Sequence, residues 1–339
     1  MKHYSVSRSD PAPFRETILR FWKENLPGTA EGRFEWMNNG NPAGPAIWFL
    51  AFEEKNRELV GTISVLPRWF FYSGKPILAG IMGDFMVKKE DRVFGPMLSL
   101  PRAAIAAAGA MGFGILYTVP NTESSKIMEK SGLTDKVLVK HFVKPISVKY
   151  YLDKHFPHPF TSLVSKAYDC ANSIVSGETY FFGNSHAQEE TGLDASFELL
   201  WHNIKAKSTY PIGDHSVAYL LWRYLNNPQF KFRLLACRDA NKSLQGYLFF
   251  TSHQNKIEIY DILAYKRSHV ACLVKELRSI AKREKHVSIY MRITEHNKIS
   301  SWLKTFLFRD AHDDVNVLFL SQKEFSYNNW TMMSGDRNV

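Results

Sequence analysis

The strongest constraint on this chain is an internal repeat. Glu35–Val65 (EWMNNGNPAGPAIWFLAFEEKNRELVGTISV) resembles Leu221–Phe250 (LWRYLNNPQFKFRLLACRDANKSLQGYLFF). Trp36 precedes Asn41-Pro42 at the spacing with which Trp222 precedes Asn227-Pro228, and the two tryptophans are 186 residues apart. In each copy an apolar strand, a charged turn and a glycine-bearing strand follow, with Gly61 and Gly246 185 residues apart. Asp84 and Asp261, each in an apolar strand, are 177 apart. Asn121 and Asn297, which open NTESSKIMEKSGL and NKISSWLKTFLF, are 176 apart. The offset drifts while the order of elements holds, as expected of a duplication followed by divergence in loop length. RWFFYSGKPILAGI in the first copy faces only TSHQNK in the second, which predicts a shorter second hairpin.

Each copy reads as helix, three strands, helix, strand, helix, strand. In the first copy, apolar and β-branched runs bounded by turns predict strands at Ile47–Glu53, Leu59–Leu66, Ile77–Val87, Ile115–Val119 and Lys136–Val143. Helices are predicted at Pro13–Glu24, Pro96–Ala110 and Thr122–Lys130. Hairpins followed by alternating helix and strand predict an α/β (α+β mixed sheet) fold: two tandem domains, each a mixed, mainly antiparallel sheet flanked by helices. The expected boundaries are 1–145 and 196–339, joined by a partly helical connector at 146–195 that contains TSLVSKAYDCANSIV. His155 and His158 in HFPHPF have ligand-like spacing but no further His or Cys beside them, and read as a proline-flanked turn.

The 43 basic and 33 acidic residues give a formal charge of +10, which points to an anionic partner: a phosphorylated cofactor, an acidic glycan, an anionic membrane surface met peripherally, or nucleic acid. The basic residues are dispersed and match no nucleic-acid motif, so no specific nucleic-acid partner is expected. No apolar run approaches the roughly 20 residues of a spanning helix. The first 25 residues do not read as a signal peptide, and a cytoplasmic protein is expected. Cys170, Cys237 and Cys272 lack paired spacing, so neither a disulfide framework nor a metal site is indicated.

Three stretches carry a resemblance to a known family. In GDFMVKKEDRVFGPML (Gly83–Leu98), a basic, glycine-containing turn separates a strand from a helix. Arg92 and Gly95 match an R/Q-x-x-G-x-G/A phosphate loop, with Met97 at its final small position. Asn121, Ser124, Met128, Gly132 and Leu133 fall on the spacing Asn-x2-Ala-x3-Tyr-x3-Gly-Phe, and the chain ends in NWTMMSGDRNV, with a Trp…Gly-Asp pattern. In this order the elements resemble the GNAT superfamily of acyl-CoA-dependent N-acyltransferases, and more closely its two-copy members associated with surface-polysaccharide genes. The resemblance implies acetyl-CoA or another acyl-CoA as co-substrate, and a small-molecule or glycan amine, such as an amino sugar, as acceptor.

It also implies site residues. The pantetheine would lie along Phe85, Met86 and Val87, and the pyrophosphate would meet Arg92, Val93, Phe94, Gly95, Pro96 and Met97 at a helix N-terminus. Unpaired N–H groups and the helix dipole favour an anion there, and a glycine admits close backbone approach. Asn121 and Ser124 would complete the cofactor wall. Asp84, amid apolar residues, is the candidate base, although Asp261 in a copy without the glycine loop favours an architectural role. Met128 replaces the family's tyrosine acid, leaving Tyr117 as substitute or as a core residue. The second loop, LAYKRSHVACL, has no glycine, so the cofactor is expected in the first copy and the second is expected to shape the acceptor site. A tRNA-dependent aminoacyl transferase and a non-catalytic acyl-CoA or glycan binder are the alternatives.

Overall fold

The computed structural model describes residues 2–26, 28–92, 95–153, 160–181, 183–321 and 330–337. The first half supplies strands β1 (Tyr4–Ser9), β2 (Ile47–Glu53), β3 (Leu59–Tyr72), β4 (Lys75–Val87), β5 (Ile115–Thr118) and β6 (Asp135–Pro145). Its helices are α1 (Arg15–Asn25), α2 (Arg33–Asn39), α3 (Pro96–Ala107) and α4 (Thr122–Ser131). After α5 (Lys149–Leu152) and α6 (Phe160–Val175) come β7 (His186–Glu190), α7 (Ala195–Lys207), β8 (Ile212–Gly213) and α8 (Val217–Leu220). The second half continues with β9 (Arg233–Arg238), β10 (Leu244–His253), β11 (Lys256–Ala264), α9 (Arg267–Arg283) and β12 (Ser288–Thr294). It closes with α10 (Lys298–Thr305), β13 (Arg309–Asp310) and β14 (Val315–Ser321).

The elements expected in the first copy are all present, and their ends shift as apolar runs extend into paired backbone: β3 reaches Tyr72 rather than Leu66. Besides the two-residue strands β8 and β13, two longer strands are additional to those expected. YSVSRS (β1) and HAQEE (β7) are mostly polar edge strands, each paired antiparallel to the first core strand of its half, β2 and β9. Their outward polarity hides the alternation that marks a half-buried strand. β7 thereby places part of the 146–195 stretch in the second half's sheet. His155 and His158 lie outside the described residues.

All strands form one mixed sheet in the order β1-β2-β3-β4-β5-β14-β6-β12-β11-β10-β9-β7, with β13 added on β6 and β8 on β3. The centre is an exchange. The first half's β5 pairs with β14 of the second half (Leu318↔Thr118), and the second half's β12 pairs with β6 of the first (Tyr290↔Val143). β14 and β6 then pair with each other. Each half therefore completes the other, and neither sheet ends at the junction.

The repeated tryptophans mark the local symmetry on one face of this sheet. Trp36 and Trp222 stack with ring centroids 4.4 Å apart and planes 9° apart. The Trp36 indole N–H donates to the Trp222 carbonyl at 2.8 Å, and the Trp222 indole N–H returns a bond to the Trp36 carbonyl at 2.9 Å. Asn41 and Asn227 serve the entry into the following strand: the Asn41 amide donates to the Pro67 carbonyl, and Asn227 accepts from the Gln229 and Phe230 N–H groups. One apolar cluster runs through both halves on this face, while α3 and α9 cover separate clusters on the other. Among the described residues no helix is long and apolar enough to cross a membrane.

Candidate functional site

β4 and β5 run parallel only from Ala79↔Ile115 to Ile81↔Tyr117. β5 ends at Thr118, whose hydroxyl donates to the Met82 carbonyl at 3.1 Å, while β4 continues to Val87. The strands thus part, and the β4 edge lines a cavity of about 450 Å³. Larger grooves of about 630 and 700 Å³ run beside α1 and α2, but neither touches this strand edge. Within the splay, β4 bulges against β3. The register passes from Thr62↔Met86 to Ser64↔Gly83, and Asp84 adopts a left-handed φ of 48°. A bulge re-aims side chains and frees backbone groups from the ladder.

The Asp84 carboxylate accepts from the Arg33 guanidinium (Nε at 3.2 Å, Nη2 at 3.0 Å) on one oxygen and from the Ser64 hydroxyl at 2.7 Å on the other. Both side chains of the ion pair are nearly inaccessible. Arg33 also donates to the Gln229 side chain at 3.2 Å, so the second half reaches into the cluster. Arg33 stands at the start of α2 in an otherwise amphipathic segment, and nothing in its spacing announces this role. Asp84 is thus placed in the cavity wall as a paired carboxylate, in line with the architectural alternative.

The loop after β4 is anchored through Asp91, which is buried and accepts from Lys2 and Tyr4 at 2.8 Å each. Lys88 pairs with Glu58, and Arg92 stays exposed while its Nε donates to the Val87 carbonyl. Gly95 caps α3 with φ 25°, and its carbonyl accepts from the Leu98 and Ser99 N–H groups. Pro96 occupies the first helical position, where its missing N–H costs nothing. The helix continues through Pro101, whose ring leaves the Met97 carbonyl without its intrahelical donor.

Phe85, Met86, Asn121 and Ser124 line the cavity as the resemblance implies, together with Met128. Asn121 caps α4, accepting from the Ser124 N–H and hydroxyl at 2.8 Å each. Val87 and Pro96 are buried, and Met97 packs into the apolar cluster beneath α3, so these residues can offer only backbone. Val93 and Phe94 lie outside the described residues. Tyr117 does not fit the acid role. It is fully buried between the halves, its hydroxyl donates to the Asp336 carbonyl at 3.1 Å, and burial raises its pKa. The sequence gives no signal for several cavity residues, among them Arg33, Thr118 and Arg337. Gln229, in the same wall, is legible in principle, because it follows the repeated Asn-Pro.

The second half has the corresponding splay, since β11 and β12 part after Ile259↔Met291. Here the chain's own tail fills it. Met333 bridges Ile293, and the Thr294 N–H donates to the Met332 carbonyl at 3.0 Å. Gly335 lies so close to Tyr224 and the Tyr260 carbonyl that a side chain there would collide with both. Asp336 pairs with the buried Arg68 of β3. Asp261, the counterpart of Asp84, accepts from Tyr224 at 2.9 Å and lies 3.1 Å from the His215 Nε2. Burial opposes charge on both members, yet their mutual attraction holds the His215 pKa up and the Asp261 pKa down.

Taken together, a parallel strand pair that splays beside a strand bulge, followed by a glycine-capped helix, defines the GNAT fold. Solved structures bear this out. A GCN5-related N-acetyltransferase from Anabaena variabilis matches with a TM-score of 0.65 at 12% identity, covering 94% of this chain and 72% of that one. One from Kribbella flavida matches with a TM-score of 0.61 at 11% identity, covering 94% and 71%. Saccharomyces cerevisiae N-myristoyltransferase with bound myristoyl-CoA matches with a TM-score of 0.56 at 10% identity, covering 98% and 83%. No protein-family model and no curated protein sequence matches the chain.

Proposed function

We propose that the protein is an acyl-CoA-dependent N-acyltransferase with one working site, in the first half. The observation that carries this reading is the bulged β4 edge, which lines a cavity between the splayed strands and leads to the glycine-capped start of α3. In the resembling fold this is where an acyl-CoA lies. The residues present suit it: main chain of Met82–Met86 for pantetheine, and exposed Arg92 and Gly95 for pyrophosphate.

The co-substrate supplies a thioester. A main-chain N–H of the bulge, at Phe85 or Met86, would polarise its carbonyl. The acceptor nitrogen adds to that carbon, the C–S bond breaks, and the proton lost by nitrogen ends on the departing sulfur. Water or the Ser124 hydroxyl can relay that proton, so Met128 in place of tyrosine does not stop the reaction. Asp84 acts as a positioning residue, holding Arg33 and the bulge. The acceptor is a small amine, with amino sugars as the first class to try.

Calorimetric titration with acetyl-CoA tests the reading. Wild type should bind, and an Arg92→Ala/Gly95→Trp variant should bind at least about tenfold more weakly. Indistinguishable titrations, or no binding by either protein, would remove the cofactor assignment. Release of free thiol in the presence of amino-sugar acceptors then separates an enzyme from a binding module.

A further inference from the structure

The candidate cavity carries an uncompensated cation. Its charged lining groups are Arg33, Asp84 and Arg337, and the first two neutralise each other. Arg337, on the tail that emerges from the filled second splay, makes no side-chain hydrogen bond or ion pair with any described residue. The carboxylates whose fields reach it, Glu258 and Asp313, are engaged elsewhere: Arg292 pairs with both, at 3.4 and 3.3 Å, and the Ser334 hydroxyl donates to Glu258 at 3.0 Å. Burial, and next Arg292, bear against the charge of Arg337.

Behind it stands a second such group. Arg223 is buried and has no carboxylate partner among the described residues. Its Nη2 donates to the Arg337 carbonyl, which fixes the Arg337 backbone, and its guanidinium lies 5.6 Å from the Trp36 ring centroid. Arg223 is buried and Arg337 partly so, and with no carboxylate paired to either guanidinium the cavity offers that charge to an anionic ligand. Neither arginine belongs to the loop assigned to the pyrophosphate. They come from the second half and the tail, as does Gln229 on the same cavity wall.

We propose that Arg337 determines acceptor specificity: the amine that accepts the acyl group also bears an anionic group, a carboxylate or a phosphate, which pairs with this guanidinium. The inference rests on the acyltransferase reading. It deepens that reading by fixing the charge of the substrate. A charge-assisted hydrogen bond to a partly buried guanidinium favours the ligand that carries the anion over the analogue that lacks it.

The test compares acceptors that differ only in the anion: glycine with glycinamide, and glucosamine 6-phosphate with glucosamine. Two readouts are used. In thiol-release kinetics, wild type should favour the anionic member of at least one pair by about tenfold or more in kcat/KM. Arg337→Gln should bring that ratio near unity, and Arg337→Lys should retain part of it. In protein labelled with 15N-arginine, the Arg337 Nε–H resonance, assigned by its loss in Arg337→Gln, should shift saturably with the preferred anionic amine and not with its neutral partner. Whichever pair responds identifies carboxylate or phosphate.

Acetyl-CoA affinity should be the same in wild type and Arg337→Gln. A matching drop would assign Arg337 to the cofactor's own phosphates and overturn the proposal. So would a preference that survives in Arg337→Gln, or a resonance that ignores all four amines. Failure of acetyl-CoA to bind wild type, with the anion-dependent shift intact, would instead remove the acyltransferase reading and leave an anion-binding site.

Discussion

Asp84→Asn separates the two roles a carboxylate in this cavity can have. The pair it breaks is close and dry: Arg33 Nη2 and Asp84 Oδ1 are 3.0 Å apart, with side chains 6% and 3% exposed. At that distance, and at an effective dielectric constant near 20, the attraction is about 5 kcal/mol before desolvation is charged against it. Removing one partner of a buried pair costs about 3–5 kcal/mol, since the other charge is stranded. The asparagine keeps an acceptor for Arg33 or Ser64, which places the expected loss near 3 kcal/mol. At about 2.1 cal/mol/K of unfolding entropy per residue, that is a fall in Tm of about 4 °C for a chain of 339 residues. Arg33→Gln alone should cost about as much. The double variant, with no stranded charge, should recover at least about 2 kcal/mol of the summed loss. Urea titrations of the four proteins give the cycle, and thiol release measures their rates. A positioning role predicts that activity recovers along with stability. Additive stability losses would refute the coupling. A kcat that falls by orders of magnitude in Asp84→Asn and does not recover in the double variant would refute positioning and make Asp84 the base.

Three further outcomes follow from the same geometry. Trp222→Phe removes the indole N–H that serves the Trp36 carbonyl and should cost about 1–3 kcal/mol, with far-UV CD and tryptophan fluorescence still tracing one shared unfolding transition. The His215 pKa is raised in the fold, so the native state holds that proton longer; its stabilisation is complete below the unfolded value of about 6.5 and disappears as pH rises through the higher folded value. Stability measured upward from pH 6 should therefore decline in wild type and decline less in His215→Gln. Gly335→Ala forces a methyl against Tyr224 and the Tyr260 carbonyl and should cost about 1–3 kcal/mol, with the tail cleaved faster in limited proteolysis.

What the sequence made legible was local. The core strands and the helices rest on apolar periodicity and turn residues, and Ile47–Glu53 was placed to the residue. Phe85, Met86, Asn121 and Ser124, which line the cavity, were pointed to by the resemblance and not by any local pattern. What escaped depended on pairing over long separations. Arg33 and Asp84 are 51 residues apart, and Tyr117 meets Asp336 across 219. No spacing rule connects such positions. Tyr117 also shows why residue type alone misleads: strand alternation sends it to the face shared by the halves, whereas the next residue, Thr118, reaches the cavity.

The strand exchange explains why two strand splays offer a single candidate site. Once β14 lies against β5 and β6 against β12, the chain leaving β14 starts on the first half's side of the junction and ends against the second half's splayed strands. Its last described residues can therefore close one crevice and edge the other. Met332 to Asp336 fill the gap between β11 and β12, and Arg337, the next residue, lines the cavity beside β4. The absence of a glycine from the second loop then costs nothing, because no phosphate needs to approach a crevice already satisfied by backbone bonds. Asp261 shows the same reassignment: the position that in the first half faces a cavity is, in the second, locked to His215 and Tyr224 beneath the tail. The second half's splay is filled, and Gln229 and Arg337, from that half and the tail, add polar groups to the wall of the cavity beside β4.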